Sequence, residues 1–354
     1  MVQLGDRIKM ARTGAGLSLR ALAEKAGVSA MAISKYENGK DIPRSGVLIS
    51  LSKALDVSPD YFFRTAEVNL SKPLYRNHDA LPKREENEIH EQIRELIERY
   101  LEIEEIVGDR QQFRRPPKER RRVQTIDDAE TAAQNIRSFW KLGTDPIENV
   151  IDIFEQNGIK VGEIDGTENF DALTFSLDER TPVIVVKKGV VGDRQRFSLA
   201  HELGHIMLEI APELDTESVA HRFAGAFLAP GPGIIADLGA KRKMLDIFEL
   251  HLLKHKWGIS MQALIYRARE LHIISEAKWG LLFDIFTTNG WRVNEPGDHP
   301  GPESPSRMKR LIFRALIEKK ITRSRAAELL GTNFDQFCQS ETMEHNGFPI
   351  PVCD

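Results

Sequence analysis

At 354 residues the chain is too long for one ordinary core and divides into two or three domains. Hydrophobic content of 41% and charged content of 29% exclude disorder throughout, and no stretch reaches the roughly 20 apolar residues that cross a bilayer. The net charge of −4 hides a gradient: residues 1–65 hold ten Lys/Arg against six Asp/Glu, residues 66–123 thirteen of each, and residues 124–354 26 against 34, so the basic amino-terminal end is the one suited to nucleic acid.

In chain order, Asp6, Arg7 and Lys9 stand where a signal peptide needs an apolar core, which predicts a cytoplasmic protein with no membrane partner. Five short helices fit the first 64 residues: Leu4 to Arg12, a second opened by Ser18 through Ala26, and a third opened by Ser29 through Asn38. A fourth runs from Gly46 to Leu55, and Ser58-Pro59 starts a last one ending at Phe63. Serine caps, closing glycines and an N1 proline mark these boundaries. From Ile89 to Val107, apolar residues recur at heptad spacing, which fits either a dimer seam or a helix lying on its own chain. Arg110 to Arg122 then carries seven basic residues, one acidic residue and Pro116-Pro117. It reads as a solvated hinge or, alternatively, a phosphate-contacting arm.

Beyond Asp127 the pattern becomes helix, helix, strands, helix, the order of an α+β domain. Ala129 to Trp140 and Ile147 to Asn157 read as helices; Ile159 to Val161, Ala172 to Leu177 and Pro182 to Val186 read as short strands. Further helices are expected at Arg194 to Ile210, Glu217 to Leu228, Met244 to His255 and Met261 to Leu271, with a final helical pair between Pro305 and Phe337. Cys338 and Cys353 offer no disulfide framework and are expected as reduced thiols.

The chemistry concentrates in His201-Glu202-Leu203-Gly204-His205. Histidines four apart on a helix point the same way, so both imidazoles can hold one Zn²⁺, with Glu202 beside it as a base. The surrounding Phe197, Leu199, Ala200, Ile206 and Met207 make the segment apolar nearly all round, as in a buried active-site helix. Position 211 is Ala211, so a third histidine six residues on is absent. The remaining candidates are Glu209, Glu213, Asp215 and Glu217. Glu217 is preferred because it heads a helix whose Ala220, Ala224 and Ala226 permit close packing, with His221 one turn later as its outer partner; His221 as ligand is the alternative. Such a centre activates water against a peptide carbonyl. Tyr266, His255 and Arg194 are candidates for the oxyanion donor.

The strings R-F-S-L-A-H-E-L-G-H and E-S-V-A-H-R-F-A-G-A-F-L-A-P resemble the ImmA/IrrE metallo-endopeptidases, and the likeness extends from Asp127 to Pro296. It implies that His201, His205 and Glu217 are zinc ligands, that Glu202 is the catalytic base, and that the substrates are helix-turn-helix repressors. The chain has His221 where that family often has Asn. S-L-R-A-L-A-E-K-A-G-V-S-A-M-A-I-S-K-Y-E-N-G-K resembles the Cro/repressor-type, or XRE, helix-turn-helix. Ala23 is small at the crossing, Gly27 makes the turn, and Val28 and Ile33 are buried in the pair. The likeness implies that the helix from Ser29 enters the major groove with Ala30, Met31, Ser34 and Lys35, while Arg20, Lys40 and Arg44 approach phosphates. Ala30 and Met31 carry no bidentate donor, so direct base discrimination is expected to be modest.

The fold expected is multidomain: an all-α helix-turn-helix bundle (1–65), a helical linker (66–126), an α+β zincin-like metallopeptidase domain with a small sheet (127–297) and a helical carboxyl-terminal region (298–354). The expected function is a homodimeric regulator of an operator on double-stranded DNA whose zinc peptidase cuts a repressor-type protein. The alternative is a transcription factor or antitoxin of a toxin–antitoxin module, its zinc domain sensing a ligand or binding a toxin without proteolysis. In the tail, Ile321 to Gly331 resembles the opening of another helix-turn-helix, though packing is the simpler reading.

Overall fold

The computed structural model describes residues 3–64, 68, 70–71, 82–165, 171–178 and 180–345. These fall into two compact units, the described residues within 1–70, 80–110 and 306–354, and those within 71–79 and 111–305. In the first, α1 (Leu4–Gly14), α2 (Leu19–Ala26), α3 (Ala30–Glu37) and α4 (Ser45–Leu55) are followed by a 3₁₀ turn at Pro59–Phe63. Ser18 and Ser29 accept from the backbone of Ala21 and Ala32 at 3.1 Å, satisfying amides that each helix start leaves open. Gly27 turns α2 into α3 at φ +69°, a left-handed conformation that glycine adopts without strain. Ile8, Leu22, Ile33, Leu51, Tyr61 and Phe62 fill the core, with Val28 packed at its edge.

The long helix α5 (Lys83–Val107) resolves the heptad question locally. Ile89, Ile93, Tyr100, Ile103 and Val107 are buried inside the same chain, against α1 and the carboxyl-terminal helices. The stripe therefore serves an intrachain interface. Arg7, 1% exposed, crosses from α1 to pair with Glu98 at 2.6 Å, a buried ion pair whose breakage leaves a charge without compensation.

The second unit begins at β1 (Arg122–Val123), α6 (Asp128–Phe139) and α7 (Val150–Gln156). Strands β2 (Lys160–Ile164), β3 (Ala172–Leu177) and β4 (Thr181–Lys187) form a sheet in the order β2-β4-β3, the first pair parallel and the second antiparallel. Val183 to Val186 are wholly buried, the continuous apolar run of a strand covered on both faces. Helix α8 (Gly192–Met207) packs on β3 and β4, and β5 (Glu209–Ile210) pairs in parallel with β1. Then come α9 (Thr216–Leu228), α10 (Gly231–Leu238), α11 (Ile247–Trp257), α12 (Met261–Glu270) and α13 (Glu276–Thr288).

Two of these helices lie outside the sequence expectation. Helix α10 opens on Gly-Pro-Gly, a loop signal, yet a Cβ at Gly233 would stand 2.4 Å from Trp257, so tertiary packing selects the glycine. The apolar side chains of α13 occur nearly all round, which hides the helical period. The basic stretch also differs from a solvated hinge. Arg121 is buried and donates to Pro116 and Met207 carbonyls, and Arg115 donates to the Ile206 carbonyl. These guanidiniums meet the carboxyl end of α8, where cations oppose the helix dipole.

The chain returns to the first unit with α14 (Arg307–Ile317), α15 (Arg323–Leu330) and α16 (Phe334–His345). Ala326, Ala327 and Leu329 of α15 cluster with Ile103, Val107, Leu311 and Ile312, so this pair packs on α5, and Cys338 lies at the cluster's edge. Cys353 lies outside the described residues. Among the described residues no helix is long and apolar enough to cross a membrane.

Candidate metal centre

Helix α8 presents His201 and His205 from one face because positions four apart are neighbours on a helix. A Cβ at Gly204, between them in sequence, would sit 3.1 Å from Phe223 and 3.4 Å from Ala220. The bare glycine therefore lets α9 lie close against α8. Asp215 caps α9 by accepting from the Ser218 amide at 2.9 Å, and Glu217 occupies its first turn, where the helix dipole favours a carboxylate.

Three side-chain tips converge as a result. His201 Nε2 and His205 Nε2 are 3.0 Å apart; Glu217 Oε2 lies 3.1 Å from the first and Oε1 3.2 Å from the second. Ligands about 2.0–2.1 Å from a tetrahedral zinc are about 3.3–3.4 Å from one another. The triangle is slightly tighter than that, and its N,N,O donor set suits zinc. These residues fit the ion without rearrangement of the backbone. His201 is buried and the other two are half-buried.

Glu202 meets the sheet through Thr174 on β3, whose Oγ1 donates to its Oε2 at 2.5 Å. Burial pushes the Glu202 carboxyl up to about 7; the Thr174 bond opposes this and the charge of Glu217 adds to it. Thr174 was beyond sequence reasoning, since a strand residue 28 positions earlier carries no local sign of the contact.

His221 stands on α9 with its ring edge-on to His201, centroids 4.5 Å apart, and its Nδ1 is 2.8 Å from the Glu217 carbonyl. It supports the centre through the backbone of Glu217 and does not join the three converging atoms. Among the other acids considered, Asp215 is the α9 cap and Glu209 pairs with Arg121. The three oxyanion candidates are engaged elsewhere: Tyr266 packs on Trp279 and Phe283, His255 pairs with Asp298, and Arg194 pairs with Asp171.

In the first unit, Arg20, Ser29, Met31, Lys35, Lys40 and Arg44 are exposed, Met31 at 70%. Ala30 is half-buried and packs against the bundle core, and Ser34 is half-buried beside Asn38, whose amide donates to the Ser34 carbonyl at 2.6 Å. The exposed face thus offers Met31, Lys35 and, unforeseen in the sequence, Asn38 and the 75% exposed Ile42.

Two family patterns match the chain: helix-turn-helix over residues 8–62, and IrrE N-terminal-like domain over residues 154–269. The uncharacterized HTH-type transcriptional regulator y4aM of Sinorhizobium fredii is 39% identical over 62 residues, 18% of this chain and 43% of that protein. Repressor protein C2 of Salmonella phage P22 is 39% identical over 61 residues, 17% of this chain and 28% of that protein. An uncharacterized transcriptional regulator in the ATPase CF(0) region of Rhodospirillum rubrum is 39% identical over 64 residues, 18% of this chain and 59% of that protein. The chain thus spans between 28% and 59% of the length of these relatives.

Proposed function

We propose, for a chain that joins an XRE-type helix-turn-helix to an IrrE/ImmA-like peptidase domain, a DNA-binding regulator whose zinc-dependent endopeptidase cuts a repressor-type regulatory protein. The observation that carries the enzymatic half is the convergence of His201, His205 and Glu217 within 3.0–3.2 Å of one another, with Glu202 on the same helix. His201, His205 and Glu217 would hold the ion. Bound there, zinc would supply Lewis acidity toward a peptide carbonyl and a water molecule. Glu202 takes the proton from the attacking water and returns it to the leaving amine, with Thr174 fixing the carboxylate's orientation.

For the DNA half, α3 enters the major groove with Met31 and Lys35, while Arg20, Lys40 and Arg44 engage phosphates. Relatives named as transcriptional regulators and a repressor support this reading. Two copies bound to a pseudo-palindromic operator would suit a bundle of this type. The decisive experiment incubates the zinc-loaded full chain with co-encoded repressor-type proteins. Wild type cleaves one of them, and Glu202→Gln lowers the rate by about 10²–10⁴-fold; no cleavage by wild type, or equal cleavage by the variant, rejects the peptidase.

A second reading, a transcription factor or antitoxin whose zinc domain senses a ligand or binds a toxin, draws on those same regulator names. It requires promoter repression to survive Glu202→Gln and to disappear on deletion of residues 1–64. Repression lost in Glu202→Gln with folding and DNA affinity unchanged would remove it.

A further inference from the structure

Helix α11 repeats the geometry of the first centre elsewhere in the same unit. His251 and His255 are also four apart, and their rings meet edge-on with centroids 4.8 Å apart at 77°, against 4.7 Å and 83° for His201 and His205. Both Nε2 atoms face one carboxylate oxygen, Asp298 Oδ1, at 3.4 and 3.2 Å. Those separations match the edge of a tetrahedral zinc-type site, about 3.3–3.4 Å. The three ligand atoms all lie within 4.8 Å of one another.

The position of Asp298 is built by its neighbours in the loop. Lys254, wholly buried between the two histidines in sequence, lies 3.1 Å from Glu295 and 3.0 Å from His299 Nδ1, which clamps the loop on both sides of Asp298. Glu295 in turn accepts from the amides of Met261 and Gln262 at 2.9 Å, at the start of α12. Gly297 has φ +82°, and a Cβ there would fall 2.5 Å from His251. Glycine is what lets the loop bring Asp298 over the imidazoles.

We propose that His251, His255 and Asp298 form a second metal site, for a divalent transition ion of the zinc or nickel class. Two imidazoles and one carboxylate select such ions over magnesium or calcium, which favour all-oxygen shells. The site faces solvent and carries no base, since Leu252 occupies the place that Glu202 holds in α8. It binds without catalysing, and three protein ligands leave a coordination position open. Occupancy would pin the 295–299 loop to α11.

The test uses metal-free full-length chain, Zn²⁺ as the only ligand, and equilibrium dialysis with elemental analysis near neutral pH. Wild type takes up two equivalents, and His251→Ala/His255→Ala takes up one. In a His201→Ala/His205→Ala background the remaining equivalent weakens at least ~10-fold on Asp298→Asn. Identical uptake by wild type and His251→Ala/His255→Ala overturns the proposal, as does indifference to Asp298→Asn, which would reveal histidines binding without a built site. One equivalent in wild type and none in His251→Ala/His255→Ala would keep this site and count against the interior one. Circular dichroism confirms that the variants remain folded, the buried His201 position included.

Discussion

Helices α8 and α11 each carry two histidines four apart and meet a carboxylate from another element, but they lie in different surroundings. Around His201 and His205 the helix is buried, a second helix lies against Gly204, and Glu202 points to Thr174. Around His251 and His255 the helix is half in solvent, Leu252 is 56% exposed, and the carboxylate comes from a loop. The pair of histidines is common to both; on the functions proposed for them, the residue after the first histidine and the burial are what would separate a reactive arrangement from a binding one. Burial raises the Glu202 carboxyl, whereas the residue after His251 is the apolar Leu252.

The largest expected break in that comparison is removal of Glu217. Glu217→Ala should lose zinc from the interior centre by more than the ~10–100-fold typical of an outer partner, while uptake that depends on His251 and His255 persists. Equilibrium dialysis of both variant sets reads this directly; equal loss at the two places would deny their independence.

Lys254→Met comes next. The substitution leaves Asp193 and Glu295 without their buried cation, which should destabilise the second unit by ~3–5 kcal/mol, read in thermal or urea melts. The same network sets an acid limit. Burial works against the Asp193 charge, but His299 and Lys254 outweigh it and hold its carboxyl below the ordinary range. A depressed folded value means that the stabilisation is complete above the unfolded carboxyl value near ~3.9 and lost as pH falls through the lower folded one. Melting temperature should therefore hold from neutrality to about pH 4 and drop below it, with a shallower drop in Asp193→Asn.

Gly204→Val should be milder in stability, at ~1–3 kcal/mol of overpacking, yet it presses α9 away from α8 and should lower interior zinc affinity without touching the α11 cluster. The smallest effect belongs to Thr174→Val. Loss of one hydrogen bond, ~0.5–1.5 kcal/mol, should slow cleavage by roughly 2–12-fold with zinc content unchanged. Stopped-time cleavage assays beside metal analysis separate these two cases.

Much of this molecule is legible before folding because its cues are local. Ser18 and Ser29 announce α2 and α3, and the run around Val183 to Val186 announces a strand. The stripe from Ile89 to Val107 gives a helix but not its partner, since heptad spacing is the same whether the other surface belongs to the same chain or to a second copy. Arg115 and Arg121 read as solvated charge, because no local pattern shows that the carbonyls at the end of α8 lie beside them.

The same division governs the two metal-type clusters. A rotation of 100° per residue fixes by spacing alone that His201 and His205, or His251 and His255, share a helix face. Which third group meets each pair depends on packing: Gly204 lets α9 deliver Glu217, β3 delivers Thr174 to Glu202, and the Lys254 clamp with Gly297 delivers Asp298. Sequence determined the paired donors, because their geometry is a property of one helix. Tertiary structure decided which carboxylate stands beside each pair and what surrounds Glu202, because both arise where separate elements pack; for His201 and His205 it brings in Glu217, the residue that the sequence favoured.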